Sequence, residues 1–312
     1  MPIPGDTSTA SPVRERLRAD LRLVPRQASI VASLDLERLR GTAVWKELAA
    51  GPIRDASLLI EGLTKGMGID PMKQVRQVLV AVPGESQSDH RFVAILRIDR
   101  LDQARAAAWL GRRQDDEPIG LVLPPDRVVI ARGAWATEIA SQGRAGHLEV
   151  NADGDSELYR LCVRAAGDHP FWLAVVVPMR LRRKLIDQAR FPDVASLARM
   201  RLSVDVDRAA PLPAEPAGSA HDRKLRAELV GELSNDPDAR ALASRLGSYL
   251  DAAKRRPDML AQGLAPHLEA LRLDPRGPNV HASLTLPAGQ VGVLVPRLGD
   301  LLRSALPPRG HR

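Results

Sequence analysis

Apolar and polar residues alternate with a period of two along much of this chain, which is the pattern of a β-strand with one buried face. The clearest case is 199–207, RMRLSVDVD, where Met200, Leu202, Val204 and Val206 fall on one face and polar residues on the other. Other segments share this alternation or a more continuous apolar character, and we predict strands there as well: 29–36, 77–83, 91–98, 120–123, 127–132, 171–178, 224–233 and 279–287.

Apolar residues spaced three and four apart predict helices between these strands. The segment 52–66 and the segment 101–111 are predicted helices of the first half, and 179–189 is one of the second. The strongest stripe follows Asp236, which we expect to cap a helix with Pro237 at its first position. We expect Pro257 to begin another helix that continues to Leu271, and a last helix to follow the strand at 279–287.

The order of the predicted elements repeats. Each half contains strand, helix, strand, strand, helix and strand, which is the β-α-β-β-α-β order of ferredoxin-like domains. We therefore predict an α+β protein of two tandem modules with appended helices. The predicted divisions are a flexible tail over 1–24, a first module over 25–143, a polar linker over 144–156 and a second module over 157–308.

Composition indicates a globular protein with a core of Leu, Val and Ala, because 44% of the residues are hydrophobic and only 3% are aromatic. Basic residues outnumber acidic ones by 45 to 38, giving a formal net charge of +7. Only six of the 45 are lysine, a bias typical of GC-rich genomes, so the basic charge alone does not indicate nucleic-acid binding. We do not expect nucleic acid as a partner, because no aromatic residues interleave the basic clusters.

Two local clusters of basic residues could bind an anionic surface. The alternative is that they are solvated helix faces and ends. The clusters consist of Arg180, Arg182, Arg183 and Lys184, and of Lys254, Arg255 and Arg256.

One acidic segment resembles a calcium loop. In NADGDSELY, 151–159, Asn151, Asp153 and Asp155 stand at alternate positions. An EF-hand loop also needs Gly at its sixth position and Glu at its twelfth, and those positions are Ser156 and Cys162 here. We interpret the segment as a linker in which Asp155 or Ser156 caps the following helix.

No motif of catalysis, metal binding or cofactor binding is found, so we expect no enzyme activity and no cofactor. The single cysteine, Cys162, excludes an intramolecular disulfide and is predicted to be a small buried hydrophobe. No apolar run is long enough to cross a membrane. As written, the chain begins without an apolar signal sequence, so we expect a cytoplasmic location, or the cell envelope if an upstream signal is missing.

The segments 23–48, 68–83 and 91–98, together with the ending LRLDPRGPNVHASLTLP at 271–287, resemble a family of uncharacterised two-module α+β proteins of GC-rich bacteria. Members of that family are often secreted or lipid-anchored, and their function is unassigned. The resemblance therefore implies a fold and an envelope location but no catalytic residues.

Three hypotheses for function follow. The first is a non-enzymatic scaffold or binding protein, with another protein as its partner. The second is a small-ligand binder or enzyme whose site lies at the module interface, where residues distant in sequence meet. The third is weak binding of an anionic surface through the two basic clusters. A deep pocket at the interface with buried ionisable groups would favour the second. The sequence identifies no ligand and no oligomeric state.

Overall fold

A computed structural model describes residues 12–42, 44–45, 49, 66–84, 91–111, 119–144, 156–189, 192–207, 224–261, 263–287 and 290. Within these residues, ten strands form one sheet in which every neighbouring pair is antiparallel. The strands are β1 (Ala28–Asp35), β2 (Val75–Pro83), β3 (Phe92–Ile98), β4 (Ile119–Leu123), β5 (Arg127–Arg132), β6 (Phe171–Val176), β7 (Arg199–Val206), β8 (Lys224–Glu232), β9 (Leu271–Arg276) and β10 (Asn279–Pro287).

The described helices are α1 (Pro12–Leu21), α2 (Leu36–Arg40), α3 (Pro71–Gln74), α4 (Gln103–Leu110), α5 (Ala134–Arg144), α6 (Glu157–Ala166), α7 (Met179–Ala189), α8 (Asp236–Lys254), α9 (Pro257–Ala261) and α10 (Ala265–Ala270). A 3-10 turn, Pro192–Ser196, precedes β7. The predicted helix over 52–66 lies outside the described residues except for Gly66, and so do the residues 145–155 and the segment predicted to form the last helix beyond 290.

The order of strands shows the internal repeat that the sequence predicted. Outward from the centre, the first half runs β1, β2, β3, β5, β4, and the second runs β6, β7, β8, β10, β9. The two halves join where β1 pairs with β6, from Ile30 opposite Val175 to Leu34 opposite Phe171. The mixed helix-and-strand class is thereby confirmed, and both halves use one plan.

The ferredoxin-like arrangement that we predicted is not what the structure shows. In a split β-α-β unit the two strands that flank the helix are parallel, with another strand between them. Here β1 and β2, which flank α2, are direct antiparallel neighbours. Each half has five strands, not the four of the predicted β-α-β-β-α-β order, and element order alone does not specify which strands pair or in which direction. The module boundaries stay a prediction, because the strands of both modules belong to one sheet.

The first helix corrects a second expectation. Residues 12–24 were predicted to be part of a flexible tail, whereas residues 12–21 form α1, and Leu17, Leu21, Leu23 and Val24 are buried. These residues pack in the same hydrophobic cluster as the centre of the sheet. Only residues 1–11 of the predicted tail lie outside the described part of the chain.

Three hydrophobic clusters hold helices to the sheet. Alternate residues of β3 divide between two of them, Val93 with Ile95 in the first and Leu96 with Ile98 in the second, so these clusters lie on opposite faces. The first cluster packs α1, α5 and α6 on one face across both halves. The second and third pack other helices on the opposite face, α4 over the first half and α8 over the second.

Local predictions were confirmed at the two hairpins of the first half, because β2 pairs with β3 and β4 pairs with β5. The long helix α8 is capped one residue earlier than predicted, since the side chain of Asn235 accepts a hydrogen bond from the Asp238 amide at 2.9 Å. The helix predicted from Pro257 to Leu271 is instead two short helices, and Leu271 begins β9, a strand that we did not predict.

We predict that Leu161→Ala lowers the free energy of unfolding by about 2–5 kcal/mol, the usual loss when a buried leucine leaves a cavity. Leu161 is 2% exposed in the cluster that crosses the junction of the halves, on a helix that contacts β1, β6 and β7. The matched control is Leu229→Ala on β8, at a leucine that is 38% exposed, and we expect its loss to stay below about 1 kcal/mol. Urea unfolding of both variants measures this, and equal losses would contradict the packing described here.

Candidate functional site

A cavity of about 450 Å³ lies where the two halves meet. The first half contributes residues from α1, β1, α2, β2, β3 and the β4–β5 turn, and the second half contributes the end of α6 and the start of β6. Its lining consists of Arg16, Leu17, Ser33, Asp35, Glu37, Arg38, Gly41, Arg76, Gln77, Arg97, Asp126, Ala166, Gly167, His169 and Trp172.

Local structure at Asp35 and Gly167 shapes this cavity. Asp35 ends β1 and caps α2, because its carboxylate accepts a hydrogen bond from the Arg38 amide at 2.9 Å. Its own amide donates to the Pro170 carbonyl at 2.7 Å, which ties the first half to the second. Gly167 follows α6 with φ of 35°, in the left-handed region that favours glycine, and the chain then turns back into β6.

A hydrogen-bonded polar pair, buried Ser33 and half-buried Gln77, lies beside apolar residues in the cavity. Ser33 is 2% exposed, and its hydroxyl oxygen accepts a hydrogen bond from Gln77 Nε2 at 2.9 Å. Leu17 and Trp172, both buried, line the same space. The lining therefore combines apolar surface with a few fixed polar groups, which is the usual composition of a small-molecule site.

Most of the arginines around the cavity already have acidic or carbonyl partners. Arg97 binds Asp20 through two hydrogen bonds of 2.9 and 3.0 Å, and Arg76 binds Asp99 at 2.5 Å. Arg38 donates to the Asp168 carbonyl at 2.6 Å.

Arg16 is different from these arginines. Its carbonyl accepts a hydrogen bond from Arg97, but no described residue pairs with its guanidinium. Within the described residues, one cation of the cavity lining thus keeps its guanidinium donors for a ligand.

Asp20 is the most buried charged residue next to the cavity, with 1% of its surface exposed. It also lies 3.5 Å from Arg127, so a single carboxylate of α1 meets two arginines of the sheet. Burial raises the pKa of Asp20 above its ordinary value of 3.8, although Arg97 and Arg127 act in the opposite direction. This cluster fixes the position of α1 over β3 and β5, at a desolvation cost typical of buried ion pairs.

The basic clusters predicted from sequence lie elsewhere. Arg180, Arg182 and Arg183 are on α7, Lys254 ends α8, and Arg255 and Arg256 follow it, while the side chain of Lys184 is outside the described part. Arg182 donates to the Val177 carbonyl at 3.0 Å, and Lys254 pairs with Asp251 at 2.9 Å. No described ion pair or hydrogen bond links the two clusters, and their anion binding stays a prediction.

The other candidates have structural roles where they are described. Asn151, Asp153 and Asp155 of the calcium-like segment lie outside the described residues, whereas Ser156 caps α6 by accepting from the Tyr159 amide at 3.1 Å. Cys162 is fully buried in the central cluster, and burial raises the pKa of its thiol, so the expected small hydrophobe is confirmed. In the part of the chain that the structure describes, no three His, Cys, Asp or Glu side chains are grouped to hold a metal ion.

The cavity residues escaped sequence analysis because they come from separate elements and form no local motif. The one feature of the sequence that could have identified them is the presence of polar residues within otherwise apolar strands. Ser33 interrupts β1, Gln77 begins the apolar run of β2, and Arg97 lies near the end of β3. Alternation with Ile30, Ala32 and Leu34 would place Ser33 on a polar face, but β1 is a central strand and both of its faces are covered.

No protein-family model, no curated protein and no solved structure matches this chain. The resemblance to two-module proteins of GC-rich bacteria therefore stays a prediction. Among the helices that the structure describes, none has the length and apolar character needed to span a membrane.

We predict that the stability of the wild type relative to Asp20→Asn falls as the pH rises from about 3.8 through the raised pKa of Asp20, and then levels off. The raised pKa means that the folded state holds this proton more tightly than the unfolded state does. Its stabilising contribution is therefore complete below the unfolded pKa and is lost as Asp20 ionises. Urea unfolding of both proteins across this pH range measures the difference. A difference that grows with pH would show that the two arginines outweigh burial.

Proposed function

We propose that this protein binds a small ligand in the cavity at the junction of its two halves. The observation that carries the proposal is the hydrogen bond between buried Ser33 and half-buried Gln77 beside Trp172, inside a cavity of about 450 Å³. Ligand pockets typically have volumes of roughly 300–1,000 Å³ and a few oriented polar groups on an apolar lining. This was the second hypothesis from sequence. Its criterion was a deep interface pocket with buried ionisable groups, whereas the ionisable residues that line this cavity are half-buried or exposed.

The charges around the cavity favour a ligand with one acidic group. Arg38, Arg76 and Arg97 are already paired within the protein. The guanidinium of Arg16, which no described residue pairs with, is the cation left to bind a carboxylate through two parallel hydrogen bonds. Gln77 and Ser33 can then bind a hydroxyl or amide of the ligand, and its apolar part can contact Leu17 and Trp172.

Binding fits this cavity better than catalysis does. The described partner of the Ser33 hydroxyl is the amide nitrogen of Gln77, which donates a hydrogen bond and cannot act as a base. A nucleophilic serine needs a neighbouring base to take its proton. We therefore keep the proposal of a non-enzymatic protein.

We predict that a panel of small carboxylic acids with hydroxyl or amide groups contains compounds that raise the melting temperature of the wild type. Arg16→Ala should lower the affinity for the best compound by about tenfold to a hundredfold, the effect of losing one charged hydrogen-bond partner. Arg18→Ala is the matched control, because Arg18 lies on the same helix but does not line this cavity. Calorimetric titration compares the three proteins.

Two results would contradict this proposal. One is a wild type that no compound of the panel stabilises. The other is an equal loss of affinity in Arg16→Ala and Arg18→Ala, which would mean that general charge, and not the cavity, determines binding.

Protein binding is a second candidate, favoured by apolar residues on the outer strands of the second half. Leu229 of β8 is 38% exposed, and its cross-strand neighbours on the same face are Leu202 and Ala282. Leu202 and Ala282 are half-buried, and a partly exposed apolar row of this kind can be part of an interaction surface. This candidate corresponds to the scaffold hypothesis from sequence.

We predict that Leu229→Asp abolishes the binding of any protein partner that the wild-type chain retains from native lysate at high salt. The matched control, Arg226→Asp, introduces the same residue on the opposite face of β8 and should keep the partner. High salt removes charge-driven contacts but not apolar ones. A partner that survives Leu229→Asp, or no partner at high salt, would exclude this surface.

A further inference from the structure

An open groove rich in arginine lies between α1, α6 and β7, separate from the junction cavity. It has a volume of about 550 Å³, and its basic residues are Arg18 on α1, Arg160 and Arg164 on α6, and Arg199 on β7. A smaller hollow of about 90 Å³ shares Arg164 and Arg199 with it and adds Arg201. We call the two spaces together the arginine groove.

Among the described residues, acidic side chains pair with only one of these five arginines. Glu157 and Glu232 both bind Arg199, the latter at 2.8 Å. No described residue forms an ion pair or hydrogen bond with the guanidinium groups of Arg18, Arg160, Arg164 and Arg201. The groove therefore keeps a formal excess of three positive charges, from five arginines and two glutamates.

Repulsion between these arginines destabilises the protein when no ligand is bound. Arg160 and Arg164 are four residues apart on α6, where like charges face each other and destabilise a helix. The helix cannot rotate to separate them from the groove, because Leu158, Leu161 and Cys162 hold its other face in the core. Arg18 of α1, a helix that contacts α6, adds a third cation to the same space.

A ligand with several negative charges would relieve this repulsion. Guanidinium groups match phosphate oxygens with pairs of parallel hydrogen bonds, so a set of unpaired arginines suits phosphate better than a single carboxylate. Tyr159 and Asn279 line the two spaces as well and can add neutral hydrogen bonds. The lining has one aromatic residue and so lacks the series of stacking rings used to bind single-stranded nucleic acid.

We propose that the arginine groove is a binding site for a ligand that bears two or more phosphate charges, either a soluble phosphate compound or the phosphate headgroup of a lipid. The site is independent of the junction cavity, since Arg18 faces the groove and Arg16 faces the cavity.

Calorimetric titration with inorganic tripolyphosphate at low salt tests the site on the full chain. We expect the wild type to bind, and the affinity to fall as salt is added. Arg160→Ala combined with Arg164→Ala should weaken binding by roughly a hundredfold, and Arg18→Ala by roughly tenfold, because each change removes one charged partner. Arg164→Lys keeps the charge but loses the paired geometry, so we expect an intermediate loss.

Two controls separate this site from other effects. Arg16→Ala should leave tripolyphosphate binding unchanged, so that the groove and the junction cavity can succeed or fail separately. Arg240→Ala, on α8, removes one exposed positive charge outside both the groove and the two basic clusters and should also have no effect. Thermal unfolding of each variant identifies any that fails to fold, and in that case Arg164→Lys alone decides the comparison.

Sedimentation with vesicles identifies the source of the phosphate. Binding to vesicles of phosphatidylcholine with phosphatidic acid, but not to phosphatidylcholine alone, with release by tripolyphosphate, would assign the groove to a lipid headgroup. Binding of tripolyphosphate without binding to either vesicle would assign it to a soluble compound. The proposal is overturned if the wild type does not bind tripolyphosphate, or if Arg240→Ala weakens binding as much as Arg18→Ala does.

Discussion

The pairing of β1 with β6 is the contact on which the rest of this structure depends. It joins two five-stranded halves into one sheet, and Val31 and Ala174 are fully buried at its centre. Without it each half would expose a long edge strand, which natural sheets avoid because unpaired backbone groups recruit other chains. The same pairing places residues 166–172 beside β1, and so creates the cavity between the halves.

The helices α1 and α6 cover this junction and contribute arginines to the cavity and to the groove beside it. Their apolar residues, Leu17 and Leu21 on one and Leu161 on the other, pack in the cluster beneath them. Asp20 anchors α1 to Arg97 and Arg127, a buried ion cluster that orients the helix more than it stabilises it. Because α1 is held in this way, consecutive polar positions face different spaces, Arg16 the cavity and Arg18 the groove.

Sequence patterns predicted individual elements better than their assembly. Alternation located β7 and both hairpins of the first half, since the pattern of a strand is local. It missed β9, where Leu271 continues the helical spacing of Leu260, Leu264 and Leu268 and Pro275 argues against a strand. The structure accepts that proline because β9 is at the edge of the sheet, where one side of the backbone needs no partner. The antiparallel pairing of β1 with β2 could not be predicted from local patterns, because it depends on contacts between residues far apart in the chain.

Runs of charge in the sequence did not identify the groove, for a related reason. The clusters at 180–184 and 254–256 stood out because their residues are consecutive, yet successive residues of a helix point about 100° apart. Neighbouring residues of a helix therefore do not share one face. Arg160 and Arg164 attract less notice in the sequence, but their spacing of four places them on one face, and folding adds Arg18, Arg199 and Arg201 from other elements. Concentrated charge arises where separate elements direct cations into one space, and this is why the groove became visible only in the folded chain.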